Sequence, residues 1–317
     1  MNMRALGGSG IEIAPLMLGG NVFGWTADEK ASFAVLDAFV DGGGNAIDTA
    51  DIYSVWIPGH VGGESETMIG KWFKASGKRD RVVLTTKVGM KLADGKEGLS
   101  ARWIEQAVED SLRRLQTDRI DLYLAHADDL ETPLEETLKA FDRLVKSGKV
   151  RAIGCSNYEA PRLAEALDTA DRLGTARYTV LQPWFNLLDR DKFEGPLQEL
   201  CVERGIGVIP YFGLASGFLS GKYRSEADLA GKPRAYRAKD YLNERGLRVL
   251  AALDTVAEAH KATPAQVALA WLAAQPAIVA PIASATSVAQ VEDLLGSMRL
   301  ALSSDELAAL DKASMAT

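Results

Sequence analysis

Apolar runs of strand length recur eight times along the chain, ending near Leu18, Ile47, Lys87, Ala125, Gly154, Gln182, Tyr211 and Ala283, and nearly every gap holds a helix-period stretch. Few folds accept that rhythm. Strands that alternate with helices lie parallel, and eight of them are the sequence form of an α/β protein of the (β/α)8 TIM-barrel type. Ahead of the series, Arg4-Ala5-Leu6 and Ile11-Glu12-Ile13 flank Gly7-Gly8-Ser9-Gly10 and read as an N-terminal β-hairpin. A chain of 317 residues has room for one large barrel or two average domains. No Pro/Gly/Ser-rich hinge, low-complexity tract or solenoid-spaced repeat divides it, so a single domain over residues 1–317 is expected.

Helix starts are written locally. Thr132-Pro133-Leu134-Glu135 has the form of a capping box with proline at the first helical position; Leu134, Leu138, Phe141 and Val145 follow on one face, with Gly148 as the stop. Thr263-Pro264-Ala265-Gln266 repeats the device, and Ser303-Ser304-Asp305-Glu306 opens a last helix. Ile104, Ala107 or Val108, Leu112 and Leu115 make another apolar stripe. Residues 217–243 break the rhythm. They are polar, rich in Gly, Lys and Arg, and read as a long loop after the seventh strand, on the rim where loops bind ligands.

Composition excludes several function classes. With 47% hydrophobic and 25% charged residues, no stretch reaches the roughly eighteen consecutive apolar residues of a membrane span. Met1-Asn2-Met3-Arg4 leads into Gly-rich turns rather than an apolar signal core, which reads as cytoplasmic. A net charge of −7 without any Lys/Arg run argues against a nucleic-acid partner. Cys155 and Cys201 are too few for a disulfide framework, and His60, His126 and His260 lack metal-ligand spacing, so no metal is expected.

Four polar residues from three strands stand out on this background: Asp48, Tyr53, Lys87 and His126, each on or just after an apolar run. Residues just past strand ends in a parallel α/β chain face the functional rim. Singly, each has an ordinary use, since an Asp caps helices, a Tyr packs and a Lys is solvated. Together they make a proton-transfer set. Tyrosine has a reference pKa of about 10 and works as a proton donor or acceptor near neutrality only beside a cation. Lys87 can be that cation, Asp48 can pair with it, and His126 can donate to a substrate oxygen. Such a set suits carbonyl reduction, whose hydride needs a nicotinamide or a flavin.

Over essentially its full length the chain resembles the aldo-keto reductases of bacterial type, and it is also similar to the branch that regulates potassium channels. The resemblance is carried by Asp48-Thr49-Ala50-Asp51-Ile52-Tyr53 with Gly63-Glu64-Ser65-Glu66, by Thr85-Thr86-Lys87 and by Leu122-Tyr123-Leu124-Ala125-His126. Further along stand Gly148-Lys149-Val150-Arg151-Ala152-Ile153-Gly154-Cys155-Ser156-Asn157 and Gly221-Lys222-Tyr223. It implies NADP(H)-dependent reduction of small aldehydes or ketones, with Tyr53 as general acid and Asp48, Lys87 and His126 as its supports.

No Gly-x-Gly-x-x-Gly follows a strand and opens a helix, so a Rossmann cofactor site is absent, and Gly42-Gly43-Gly44 reads as a turn before a strand. The resemblance implies instead that Ser156, Asn157 and Gln182 hold the nicotinamide carboxamide while Tyr211, at a strand end, stacks on the ring. The segment from Phe212 to Lys222 then wraps the pyrophosphate through Gly213, Leu214, Gly217 and Lys222; Phe212-Gly213-Leu214 replaces the commoner Ser-Pro-Leu. At the adenine end Ser284, Thr286, Gln290 and Asp293 match binding positions, but Ser284, Thr286 and Leu294 replace the usual Gly, Arg or Lys, and Asn. The missing base weakens the NADP(H) preference, Arg234 or Arg237 in the long loop are candidates to substitute for it, and NAD(H) stays open beside NADP(H). Trp25, Trp56 and Trp184 fall near rim loops and are expected to line an apolar substrate pocket, whereas Trp72 and Trp103 belong to the core. The chain ends soon after its last helix, without the long loop that covers the substrate in some relatives, so a fairly open site for varied aldehydes is expected.

Two other readings use the same residues. A Schiff-base aldolase would employ Lys87 as nucleophile, and a nicotinamide-nucleotide-sensing subunit would bind the dinucleotide with little turnover. The complete quartet favours catalysis.

Overall fold

A computed structural model of the chain describes residues 2–93, 95–231 and 235–315. The N-terminal hairpin forms from β1 (Arg4–Ala5) and β2 (Glu12–Ile13), antiparallel, with Arg4 opposite Ile13. A parallel sheet follows, made of β3 (Met17–Gly19), β4 (Ala46–Asp48), β5 (Val83–Val88), β6 (Ile120–Ala125), β7 (Val150–Ser156), β8 (Tyr178–Gln182), β9 (Gly207–Val208) and β10 (Ile282–Ala283). Its order is β10-β3-β4-β5-β6-β7-β8-β9. The two ends of that order also meet: the Val208 N–H donates to Ala277 at 2.9 Å, Val279 to Val208 at 2.8 Å and Ile282 to Pro210 at 2.9 Å. Between and beside the strands run α1 (Glu29–Asp41), α2 (Glu64–Ser76), α3 (Ala101–Leu115), α4 (Leu134–Lys146), α5 (Ala160–Leu173) and α6 (Pro196–Arg204). After them come the single-turn α7 (Ala235–Ala238), then α8 (Glu244–His260), α9 (Pro264–Ala273), α10 (Val288–Gly296) and α11 (Ser304–Ser314). Eight curved parallel strands with surrounding helices are an α/β arrangement of the (β/α)8 kind.

Side chains alternate between the two faces of a strand, and here each face has its own apolar cluster. Ala46, Val83, Leu122, Leu124, Ala152 and Val180 pack on one face together with Leu6, Ile11 and Ile13 of the hairpin region. The other face, with Ile47, Leu84, Tyr123, Ile153 and Leu181, packs against helix residues such as Ile69, Ile104, Leu138 and Leu167. Covered on both faces, β5 and β6 are wholly buried, polar residues included. Hairpin and strand approach closely. A Cβ on Gly7, whose φ is +53°, would lie 2.1 Å from the Thr179 carbonyl oxygen.

Three local expectations change. Pro133 occupies the N-cap of α4 without a side-chain capping bond, so Thr132 lies outside the helix, and Glu135 pairs with Arg172 instead of reaching back. Tyr211 lies beyond β9, which ends at Val208, but still follows the neighbouring strand, its N–H donating to the Pro183 carbonyl at 2.9 Å beside an isolated bridge to Trp184. The stretch after β9 is not wholly irregular, holding short 3₁₀ turns at Ala215–Ser220 and Glu226–Leu229. Two other start signals act, the first by its threonine alone, since the Gln266 side chain turns to Asp293. Thr263 caps α9 by accepting from the Gln266 N–H, and Ser303 with Glu306 forms a full capping box on α11. Among the described residues no helix is long and apolar enough to cross a membrane, and no group of three or more His, Cys, Asp or Glu could hold a metal.

Candidate active site

Period-two alternation carries one face of the sheet from apolar to polar at the C-terminal strand ends. Stepping by two, Ala46 leads to Asp48, Val83 and Thr85 to Lys87, Leu122 and Leu124 to His126, Ala152 and Gly154 to Ser156, and Val180 to Gln182. Tyr53 reaches the same place from the turn after β4.

Lys87 is fully buried, and its Nζ lies 2.8 Å from Asp48 Oδ2, 2.8 Å from the Thr49 carbonyl oxygen and 2.7 Å from Tyr53 Oη. The Tyr53 hydroxyl donates to Asp48 Oδ2 at 3.1 Å, and Gln182 Nε2 donates to Asp48 Oδ1 at 2.8 Å. One carboxylate therefore gathers donors from β5, β8 and the turn after β4. The His126 ring stands 6.0 Å from the Tyr53 ring, and its Nδ1 is buried without a hydrogen-bond partner among the described residues.

The electrostatics follow from this packing. Burial, then the Asp48 charge, pushes the Tyr53 hydroxyl well above its ordinary range, so the phenol keeps its proton at neutral pH. Burial draws the Lys87 ammonium down against the opposing pull of Asp48. Burial first and the Lys87 charge second hold His126 well below the usual imidazole range, so its ring is neutral at pH 7. A protonated phenol with a cation 2.7 Å from its oxygen can release a proton because the charge left behind has a partner already in place.

Beside this cluster, Ser156 Oγ donates to the Gln182 carbonyl at 2.8 Å, and Asn157 Nδ2 donates to the His126 carbonyl at 2.9 Å and to Ser156 Oγ at 3.1 Å. The Tyr211 hydroxyl donates to Asn157 Oδ1 at 2.7 Å. Ser156, Asn157, Gln182 and Tyr211 thus form one hydrogen-bonded chain that ends on Asp48. Neutral amides and a hydroxyl are a donor and acceptor set that fits a carboxamide. After Tyr211 the backbone turns left-handed at Phe212 (φ 58°), Ala215 (46°), Ser216 (57°) and Gly217 (91°), with Gly213 and Leu214 between. A Cβ on Gly217 would lie 2.8 Å from Lys222 Nζ, so glycine is what lets that ammonium rest against the turn. A tight small-residue turn with a cation against it fits a pyrophosphate.

The remaining predicted residues divide. Ser284 Oγ donates to Asn21 Oδ1 at 2.7 Å, and Thr286 donates to Gln290 Oε1 from its N–H at 2.8 Å and from its hydroxyl at 3.2 Å. Asp293 accepts from Thr263 and Gln266 at 2.8 Å each and so joins α10 to α9. Arg237 lies over the Phe212 ring at 4.9 Å, and Arg234 is outside the described residues. Trp25 and Trp56 meet edge-on at 5.8 Å, with Trp56 6.1 Å from the Tyr53 ring and 47% exposed. Trp184 packs with Phe212 and Tyr211 instead, at 4.8 and 6.1 Å. Trp72 and Trp103 are core.

Two acids, Asp51 and Asp189, are given no role in the sequence reading. Asp51 has both oxygens buried with no hydrogen-bond partner among the described residues, and burial, then the charge of Glu66, holds its carboxyl well above the usual range. Glu66, also buried, accepts from Thr86 at 2.6 Å and from Arg114 at 2.7 Å. Asp189 accepts from three side chains and is taken up below. Neither carries a local signal, because both are defined by partners from other elements.

A parallel α/β sheet with a lysine, tyrosine, aspartate and histidine gathered at its C-terminal rim describes a class of barrel enzymes rather than a single protein. The sequence profile of the aldo/keto reductase family matches residues 15–315, and the chain belongs to that family. It is 36% identical to an uncharacterized oxidoreductase, YrpG, of Bacillus subtilis, over 98% of this chain and 95% of that protein. It is 32% identical to the protein tas of Escherichia coli, over 96% of this chain and 94% of the other. A probable voltage-gated potassium channel subunit beta of Arabidopsis thaliana is also 32% identical, over 92% and 90%. Family and relatives together support an oxidoreductase.

Proposed function

We propose that the protein is an NADP(H)-dependent oxidoreductase that reduces aldehydes or ketones to alcohols on a closed, single-domain (β/α)8 barrel, with Tyr53 as general acid. The observation that carries the reading is the 2.7 Å approach of the Lys87 ammonium to the Tyr53 oxygen, inside a cluster anchored by Asp48. A bound nicotinamide would supply hydride to the carbonyl carbon. Tyr53 gives its proton to the carbonyl oxygen, and the phenolate charge is balanced by Lys87, which Asp48 and the Thr49 carbonyl hold in place. His126, neutral, donates to the same substrate oxygen and orients it.

Ser156, Asn157 and Gln182 are assigned to the carboxamide of the nicotinamide and Tyr211 to its ring face. Gly213, Leu214, Gly217 and Lys222 are assigned to the pyrophosphate, and Ser284, Thr286 and Gln290 to the adenine end with Asp293 behind them. Trp56 borders the phenol with Trp25 packed against it, supporting an apolar carbonyl pocket open to varied small aldehydes. Consumption of NADPH absorbance with a panel of aldehydes tests the reading. Tyr53→Phe is expected to lose activity by about 10²–10⁴-fold, the usual weight of general acid catalysis, while keeping nucleotide affinity. Full activity in that variant would defeat the mechanism.

The likeness to a plant potassium channel subunit favours one second reading, a dinucleotide-binding regulatory subunit. Stoichiometric NADPH binding without turnover of any aldehyde would select it. A borohydride-trapped adduct on Lys87 would instead select the aldolase.

A further inference from the structure

Outside the Tyr53 cluster, one carboxylate oxygen draws separate segments together. Asp189 Oδ2 accepts hydrogen bonds from Trp184 Nε1 at 2.8 Å, Asn186 Nδ2 at 2.7 Å and the Tyr241 hydroxyl at 2.7 Å. Each donor leads to the left-handed turn at residues 212–218. Asn186 Nδ2 also donates to the Phe212 carbonyl at 3.1 Å, and Trp184 packs edge-on against the Phe212 ring at 4.8 Å. These hold the first end of the turn. Tyr241 holds the other, its ring 5.8 Å from that of Phe218.

The turn needs such support. Phe212, Ala215 and Ser216 all adopt positive φ, a conformation unfavourable for residues with a Cβ that persists where surroundings impose it. Asn186 is well placed to impose it, being buried and fixed through Oδ1 by the Leu188 N–H at 2.8 Å and the Asp189 N–H at 3.1 Å. Tyr241 is seated as firmly, since a Cβ on Gly246 would lie 1.8 Å from its carbonyl oxygen. Asp189 closes the frame by binding both supports through one atom. A turn held in its binding shape before the ligand arrives loses less freedom on binding, and its ligand leaves more slowly.

We propose that Asp189 is a positioning residue that keeps the 212–218 turn in shape and thereby sets how long a dinucleotide phosphate is retained. The inference rests on the nicotinamide reading above. It is tested on the full chain by stopped-flow release of NADPH from wild type, Tyr241→Phe, Asp189→Ala and Asp189→Asn. Trypsin cleavage after the exposed Lys222, without nucleotide, and thermal midpoints are measured in parallel. Tyr241→Phe removes one hydroxyl while leaving its ring on Phe218, and is expected to release NADPH about three- to tenfold faster, the equivalent of one net hydrogen bond. Cleavage after Lys222 should accelerate in step, with the maximal carbonyl turnover not reduced and the cofactor KM raised. Asp189→Ala should do the same more strongly, and Asp189→Asn, which keeps an acceptor oxygen in place, should be partly rescued. Wild-type release and cleavage rates in Tyr241→Phe and Asp189→Ala would overturn the proposal; if Asp189→Ala does not fold, Tyr241→Phe decides alone. A wild type that binds neither NADPH nor NADH would instead overturn the nicotinamide reading, and the retention role with it.

Discussion

A lysine with no solvent exposure is tolerable only where its ammonium is coordinated, and Lys87 meets three oxygens within 2.8 Å. Replacing it by Met leaves Asp48 buried with the Tyr53 and Gln182 donors but no cation. The expected loss is up to about 3–5 kcal/mol in urea unfolding, and adding Asp48→Asn should recover most of it. Asp51 works the other way. Its carboxyl is held well above the usual range by burial and Glu66, so between the unfolded-state pKa and the folded one the native chain holds a proton that the unfolded chain has released. Stability contributed by this group is therefore lost as pH rises through that window. Asp51→Asn should raise the thermal midpoint at neutral pH, and the gain should vanish below about pH 4, the reference value for an aspartate. A variant equally stabilised at every pH would contradict this account. Tyr53, Lys87 and His126 could be picked out of the sequence because their polarity interrupts apolar runs. Asp51, three residues from Asp48, could not, since its environment comes from α2, α3 and Tyr123.

Elements were readable where their signals are local. The stripe Ile104, Ala107, Val108, Leu112 and Leu115 is the buried face of α3, and Ser303 caps α11 by accepting from the Glu306 N–H through Oγ while its own N–H donates to the Glu306 carboxylate. Thr132 misled because a proline at the next position took the cap itself. The contact of α2 with α3 was not legible, although it is among the tightest in the molecule. A Cβ on Gly70 would lie 2.1 Å from the Arg114 carbonyl oxygen. Gly70→Ala must separate the two helices and is expected to cost about 1–3 kcal/mol by overpacking, outweighing the better helix propensity of alanine. A shift of the denaturation midpoint to lower urea measures it. Because α2 also carries Glu66 and Ser65, which anchor Thr86 and the Gly20 carbonyl, some loss of activity should accompany the shift.

At the scale of the molecule, a ligand that binds only the folded chain stabilises it by mass action. NADPH at a hundredfold excess over its Kd should add about 2.7 kcal/mol, read as a higher thermal midpoint, and NADH at the same concentration should add less. The reverse order would replace NADP(H) by NAD(H) as the cofactor. On the family resemblance Thr286 replaces the usual base, so this comparison weighs whether Arg237, which lies over Phe212, serves a 2′-phosphate instead.

What the amino-acid order determined alone is the rhythm of strand and helix and, through period-two alternation, the side of each strand on which Asp48, Lys87, His126, Ser156 and Gln182 stand. Those are consequences of local backbone geometry, repeated every few residues. Only the tertiary structure decided partnership and burial. Gln182 meets Asp48 across 134 positions of chain, Asp189 joins Trp184 to Tyr241, and Asp51 has no hydrogen-bond partner among the described residues, because each is settled by strand order and helix packing rather than by neighbours in sequence.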